Sequence, residues 1–167
     1  IYTTYVQILY RYGLRFTSDP EIIKDCIQEV FTSLYKNRNS LITPDNIKVY
    51  LFVSVKNCLI RTLYKESFYD RELPENIQFS LESTVEEDFI NNEQYANQQK
   101  MINEILALLT PRQKEIIYYR FIQELSMDEI CILMNLNYQS AQNLIQRSLK
   151  KVRQNYDSIE VFLLILA

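Results

Sequence analysis

Leu125–Arg153 reads LSMDEICILMNLNYQSAQNLIQRSLKKVR, two amphipathic helical patterns with only Asn135-Leu136-Asn137 between them. Ser126 with Glu129 three residues later has the form of a capping box and opens the first helix. Asn135 suits the left-handed conformation that ends a helix, and Asn137 caps the next one. In the second helix Ala141, Leu144, Ile145, Ser148 and Val152 recur at helical spacing and form the inward stripe. That register leaves Tyr138, Gln139, Gln142, Asn143, Gln146, Arg147 and Lys150 facing out. From Tyr138 to Gln154 the chain carries the cations Arg147, Lys150, Lys151 and Arg153 and no acid.

Those residue types point to one kind of chemistry. Gln and Asn amides offer a paired donor and acceptor that fit the exposed edge of adenine in the major groove, whereas Lys and Arg suit phosphates. A helix of about ten residues, a tight turn and a second helix that is polar first and basic later has the spacing of a helix-turn-helix. The same surface also fits a solvated helix whose terminal cations complement the helix dipole.

The composition is consistent with a helical protein. The 167 residues are 47% hydrophobic and 23% charged, with one glycine, four prolines and a net charge of -3. So little turn-forming material argues against a sheet with tight connections, and an all-α fold is expected. Cys26, Cys58 and Cys131 lie far apart within apolar stretches, which reads as buried thiols in a reducing compartment. With no histidine in the chain, neither a metal nor another cofactor is expected. The apolar tail Val161–Ala167 is too short to cross a bilayer, so a cytoplasmic protein without membrane insertion is expected.

Charge divides the chain into three zones. Residues 1–65 carry nine Lys/Arg against five Asp/Glu, residues 66–110 two against ten, and residues 111–167 seven against six. The acidic middle reads as a linker over residues 67–96 between helical modules at 1–66 and 97–160. In the first module Tyr5, Leu9, Tyr12 and Phe16 share a helical stripe, and Ser18-Asp-Pro-Glu21 restarts the pattern with a capping-box arrangement. Ile23, Ile27, Val30 and Leu34 form the second helix's buried stripe, with Asp25, Gln28, Glu29 and Thr32 opposite. A third helix begins at Thr43-Pro-Asp45 and gathers Asn57, Arg61, Tyr64 and Lys65 on one side. Gln98–Leu109 is a short amphipathic helix, and Thr110-Pro-Arg-Gln113 opens the next. Most of the 13 tyrosines are expected in the core.

Taken in order, three stretches resemble the sigma-70 family of RNA polymerase sigma factors, specifically its small extracytoplasmic function (ECF) group. YGLRFTSDPEIIKDCIQEVFTSLYKNR (12–38) resembles the part of region two that docks on polymerase, and VYLFVSVKNCLIRTLYK (49–65) the region-two helix that handles the minus-ten element. LLTPRQKEIIYYRFIQELSMDEICILMNLNYQSAQNLIQRSLKKVR (108–153) resembles region four, which reads the minus-thirty-five element. The resemblance implies a promoter-specificity subunit, not an enzyme, whose partners are core RNA polymerase, promoter DNA and an anti-sigma factor. It implies that Asp25, Gln28, Glu29 and Thr32 meet polymerase and that Lys56, Asn57, Arg61 and Lys65 lie along the melted minus-ten strand. The loop 39–46 falls where relatives capture an extruded base. Tyr138, Gln139, Ser140, Gln142, Asn143, Gln146, Arg147 and Lys150 would meet duplex DNA. In the family the linker threads toward the active centre, where its acids mimic RNA. Two alternatives remain: a stand-alone helix-turn-helix regulator, which leaves the first module unexplained, and a degenerate sigma-like protein that binds polymerase without reading promoters.

Overall fold

The structure is a computed structural model that describes residues 2–38, 46–69, 79–81, 100 and 103–155. Every regular element among them is helical, and the chain divides into two compact units at residues 78/79.

The first unit holds α1 (Tyr2–Gly13), α2 (Pro20–Lys36) and α3 (Ile47–Tyr69), each packed on the other two. Leu9 and Tyr12 from the expected α1 stripe are fully buried, as are Ile23 and Ile27 from α2. Leu51, Phe52, Val55 and Leu59 of α3 are fully buried as well, and the Tyr12 and Phe52 rings lie 4.4 Å apart. Because α3 lies against both other helices, it buries two flanks and shows weak amphipathicity along its length. Gly13, the chain's one glycine, sits where α1 meets α2: a Cβ there would lie 2.5 Å from Ile23 Cγ2. Its role is close helix approach, since its backbone is not left-handed.

Helix α2 begins one residue later than the capping-box reading placed it. Asp19, not Ser18, is the N-cap, and its carboxylate accepts from the Glu21 and Ile22 amides at 2.8 and 3.4 Å. Pro20 is the physical reason. Its fixed φ and missing N–H suit the first helical position, which makes the residue before it the cap. The expected start of α3 at Thr43–Asp45 lies outside the described residues. Asn46 caps the described helix, accepting from the Lys48 and Val49 amides at 2.9 and 3.3 Å.

The second unit contains a helix over residues 103–108 (α4), α5 (Pro111–Ile117), a π-helical turn (Tyr118–Ile122), α6 (Met127–Met134) and α7 (Tyr138–Asn155). Helix α7 packs on both α5 and α6. Both expected capping boxes form, Thr110 with Gln113 and Ser126 with Glu129. Four successive side chains, Ile116 to Tyr119, are buried, so this segment is the centre of the unit. The π-helical turn closes with the Gln123 amide donating to the Tyr118 carbonyl at 3.0 Å, and Glu124 then takes a left-handed φ of 53°. Tyr119 donates its hydroxyl to Glu115 at 2.8 Å, which satisfies both buried groups.

Phe79 and Leu81 lie in the stretch read as an acidic linker, yet both are buried and belong to this second unit. The Phe79 ring lies 5.3 Å from that of Tyr118. Among the tyrosines whose burial is described, Tyr12, Tyr118 and Tyr119 are buried, Tyr5, Tyr10 and Tyr50 half-buried, and Tyr2, Tyr35, Tyr64 and Tyr138 exposed, so fewer of them are core than expected. A phenol has an apolar body and a polar tip that water satisfies without a protein partner. Cys26 and Cys58 are buried, Cys131 is half-buried, and all three are free.

Candidate nucleic-acid and partner interfaces

The turn between α6 and α7 is set by its two asparagines. Asn135 adopts φ 50° and ψ 54°, a conformation that costs most L-residues about 1–2 kcal/mol and asparagine less. The Leu136 amide donates to the Cys131 carbonyl at 3.0 Å, and Asn137 Oδ1 accepts from the Ser140 amide at 2.8 Å. These bonds pin α7 at its N-terminal end, the end that a recognition helix presents to bases.

Helix α7 keeps the register expected for it. Ala141, Ser148 and Val152 are fully buried, and Ser148 donates to the Leu144 carbonyl at 2.7 Å, which accommodates a hydroxyl in the inward stripe. Leu144 and Ile145 are only half-buried. Tyr138, Gln139, Gln142, Asn143, Gln146, Arg147 and Lys150 are exposed, and Ser140 is half-buried. At about 100° per residue, Gln139, Asn143, Gln146 and Lys150 fall within one narrow arc opposite the core. Gln139 Nε2 donates to Asn143 Oδ1 at 3.1 Å, which joins the two amides. Each NH2 group still has a second proton and each carbonyl a second lone pair, so base-edge recognition stays open to both. The cations divide: Lys151 donates to the Leu108 carbonyl at 3.2 Å, while Arg147, Lys150 and Arg153 are exposed.

One residue beside this helix escaped the sequence reading. Arg112, in the first turn of α5, donates to the Met134 carbonyl at 3.2 Å and so ties α5 to the end of α6. With Leu136, Ser140, Asn143, Leu144 and Arg147 it lines a cleft of about 300 Å³. Its place after Thr110-Pro111 was visible in the sequence, but its direction depends on how α5 crosses the turn.

In the first unit Asp25, Gln28, Glu29 and Thr32 line one groove along α2, of about 440 Å³, together with Ser33, Lys36 and Asn37. On α3, Asn57, Arg61 and Lys65 are exposed, whereas Lys56 is half-buried and turned about 100° from Asn57, on the helix flank. The loop 39–46 lies outside the described residues except for Asn46. So does most of the acidic stretch.

The two sets in this unit meet at one point. Arg61 Nη2 donates to Glu29 Oε1 at 2.5 Å, and the Cys58 thiol donates to the other oxygen, Oε2, at 3.4 Å. Arg61 Nη2 also lies 3.5 Å from the Cys58 sulfur. Hydrogen bonds from Arg61 and then Cys58 hold the Glu29 carboxyl below its ordinary range, and Glu29 in turn raises Arg61. Burial, with neighbouring Cys26 and Glu29, pushes the Cys58 thiol up to about 12. It therefore stays protonated as a donor and is a poor nucleophile. Among the described residues no group of His, Cys, Asp and Glu is arranged to hold a metal ion, and no helix is long and apolar enough to cross a membrane.

Two family models match the sequence, Sigma-70 region 2 over residues 1–68 and Sigma-70, region 4 over residues 99–152. No curated protein matches the chain. Among solved structures, the sigma factor RpoE of Bartonella quintana, crystallised with the anti-sigma factor NepR, is similar with a TM-score of 0.62 and 14% identity. The match covers 92% of each chain. At that identity the likeness is one of fold.

Proposed function

The chain belongs to the sigma-70 family, the promoter-specificity subunits that bind core RNA polymerase and initiate transcription, and from that premise we propose how its surfaces divide the work. We place it in the ECF group, acting in the cytoplasm and contributing no bond chemistry of its own. The α2 groove of Asp25, Gln28, Glu29 and Thr32 meets polymerase. The α7 arc of Gln139, Asn143, Gln146 and Lys150, with Tyr138, Ser140, Gln142 and Arg147 around it, meets the upstream promoter element. The α3 side of Asn57, Arg61 and Lys65, with Lys56 on its flank, follows the melted downstream strand. The modules are residues 1–66 and 97–160, with the acidic stretch between them.

The observation that carries this reading is the order of the two family matches on one chain, the first over the α2 groove and the second over the α6–α7 turn. Electrostatics explains the dependence on polymerase. Non-specific DNA affinity comes mainly from neutralised phosphates, and a chain of net charge -3 with few exposed cations per helix has little of it. Mounted on polymerase, the same contacts discriminate between sequences instead of supplying affinity. An anti-sigma factor that covers both DNA faces would hold the free protein inactive; RpoE, which shares the fold, was crystallised in complex with the anti-sigma factor NepR. The test is co-migration with purified core polymerase in gel filtration. The full chain is expected to co-elute, and Gln28→Ala with Thr32→Ala to weaken the complex. A wild-type chain that elutes apart from polymerase contradicts the proposal.

A further inference from the structure

One carboxylate serves both surfaces of the first unit. Glu29 lines the α2 groove with Asp25, Gln28 and Thr32, and it also holds Arg61, which lies on the α3 side with Asn57 and Lys65. Both side chains stay more than half exposed, at 60% and 52%, so a partner can reach either of them. The second oxygen of Glu29 is fixed by the Cys58 thiol, which orients the carboxylate toward Arg61.

We propose that the Glu29–Arg61 pair is a latch: it holds Arg61 away from nucleic acid in the free protein, and a cationic side chain of polymerase entering the α2 groove takes Glu29 and releases Arg61 to a DNA phosphate. The proposal rests on the assignment of α2 to polymerase and α3 to DNA made above. Glu29 cannot keep its aligned bond to Arg61 while it is drawn to a competing cation, so the two binding events are coupled. By linkage the coupling is reciprocal: DNA that captures Arg61 frees Glu29 for polymerase. An exposed pair of this kind is worth about 1 kcal/mol or less, so the coupling is a modulation of about two- to fivefold, not an on-off switch.

The experiment reads binding of the full chain, without polymerase, to a fluorescein-labelled single-stranded oligonucleotide of random sequence at low salt. Glu29→Gln breaks the pair, and Glu29→Asp breaks it by shortening the side chain while keeping the charge. Both are expected to tighten binding about two- to fivefold. Asp25→Asn removes one charge from the same groove and is expected to change binding less. In an Arg61→Gln background the gain from either Glu29 substitution should vanish. Equal gains from Glu29→Gln and Asp25→Asn, with none from Glu29→Asp, would reduce the effect to net charge and overturn the latch. If Arg61→Gln weakens binding while neither Glu29 substitution changes it, α3 remains a DNA face and the latch alone fails. If the Glu29 variants bind equally well with and without Arg61, the α3 assignment itself fails.

Discussion

Gly13→Ala tests the packing that positions the α2 groove. The new methyl carbon would stand 2.5 Å from Ile23 Cγ2, 3.1 Å from Cγ1 and 3.3 Å from Cβ, against an optimum near 3.5–4.0 Å. Ile23 is fully buried and β-branched, so it cannot swing aside, and α1 and α2 must separate by several tenths of an ångström. Overpacking of this kind costs about 1–3 kcal/mol, while alanine in place of glycine at a helix end returns less than about 1 kcal/mol. The net expectation is a loss of about 1–2 kcal/mol, or roughly 4–16 °C in Tm for a unit of this size. Thermal unfolding followed by circular dichroism measures it, with a double-mutant cycle against Ile23→Ala, which removes Cγ2 and Cγ1, the two nearest of the three contacting atoms, and leaves only Cβ. In that background Gly13→Ala should cost less than about 0.5 kcal/mol. An equal cost in both backgrounds, or a stabilised single variant, would refute the steric reasoning.

Further consequences follow from the same geometry. Asn135→Ala should destabilise the second unit by about 1 kcal/mol and Asn135→Gly should not, because only alanine is penalised at φ 50°; chemical unfolding of each variant measures the difference. In the polymerase complex, Gln139→Ala should relax sequence preference at one or two promoter positions, a discrimination of about 1–3 kcal/mol, whereas Lys150→Ala should weaken all promoters alike and lower the salt slope by about one. Footprinting over a salt series on a panel of promoter variants separates the two. The Glu29 carboxyl titrates below its unfolded value, so the stability it contributes is present above the ordinary glutamate range and is lost as pH falls through the depressed value. Urea midpoints of the wild type and Glu29→Gln should therefore differ at neutral pH and converge in acid.

The local chemistry of this fold was legible where it depends on a few neighbouring residues. Ser126 with Glu129, Thr110 with Gln113, and Asn135 with Asn137 announce helix ends through their own side chains, and the α7 stripe follows from helical spacing alone. Asp19 shows the limit of that reading, because two capping signals compete and the constraint from Pro20 decides between them. The π-helical turn at Tyr118–Ile122 leaves no periodic signature, since it shifts the hydrogen bonds by one residue within an apolar run. Phe79 and Leu81 were hidden by the acids around them, although two apolar residues at alternate positions were a usable sign of an extended segment with one buried side. Arg112 and the Glu29–Arg61 pair were beyond reach, as both contacts join side chains brought together by tertiary packing, 32 residues apart in the second case.

Run-off transcription by purified core polymerase, with and without the full chain, on DNA from upstream of its own gene tests the central claim most directly. A discrete transcript that appears only with the protein, and that is lost when Gln139 and Asn143 are both replaced by alanine, is the predicted result. No transcript from any promoter-bearing template, together with tight binding of the free protein to short duplexes, would contradict it.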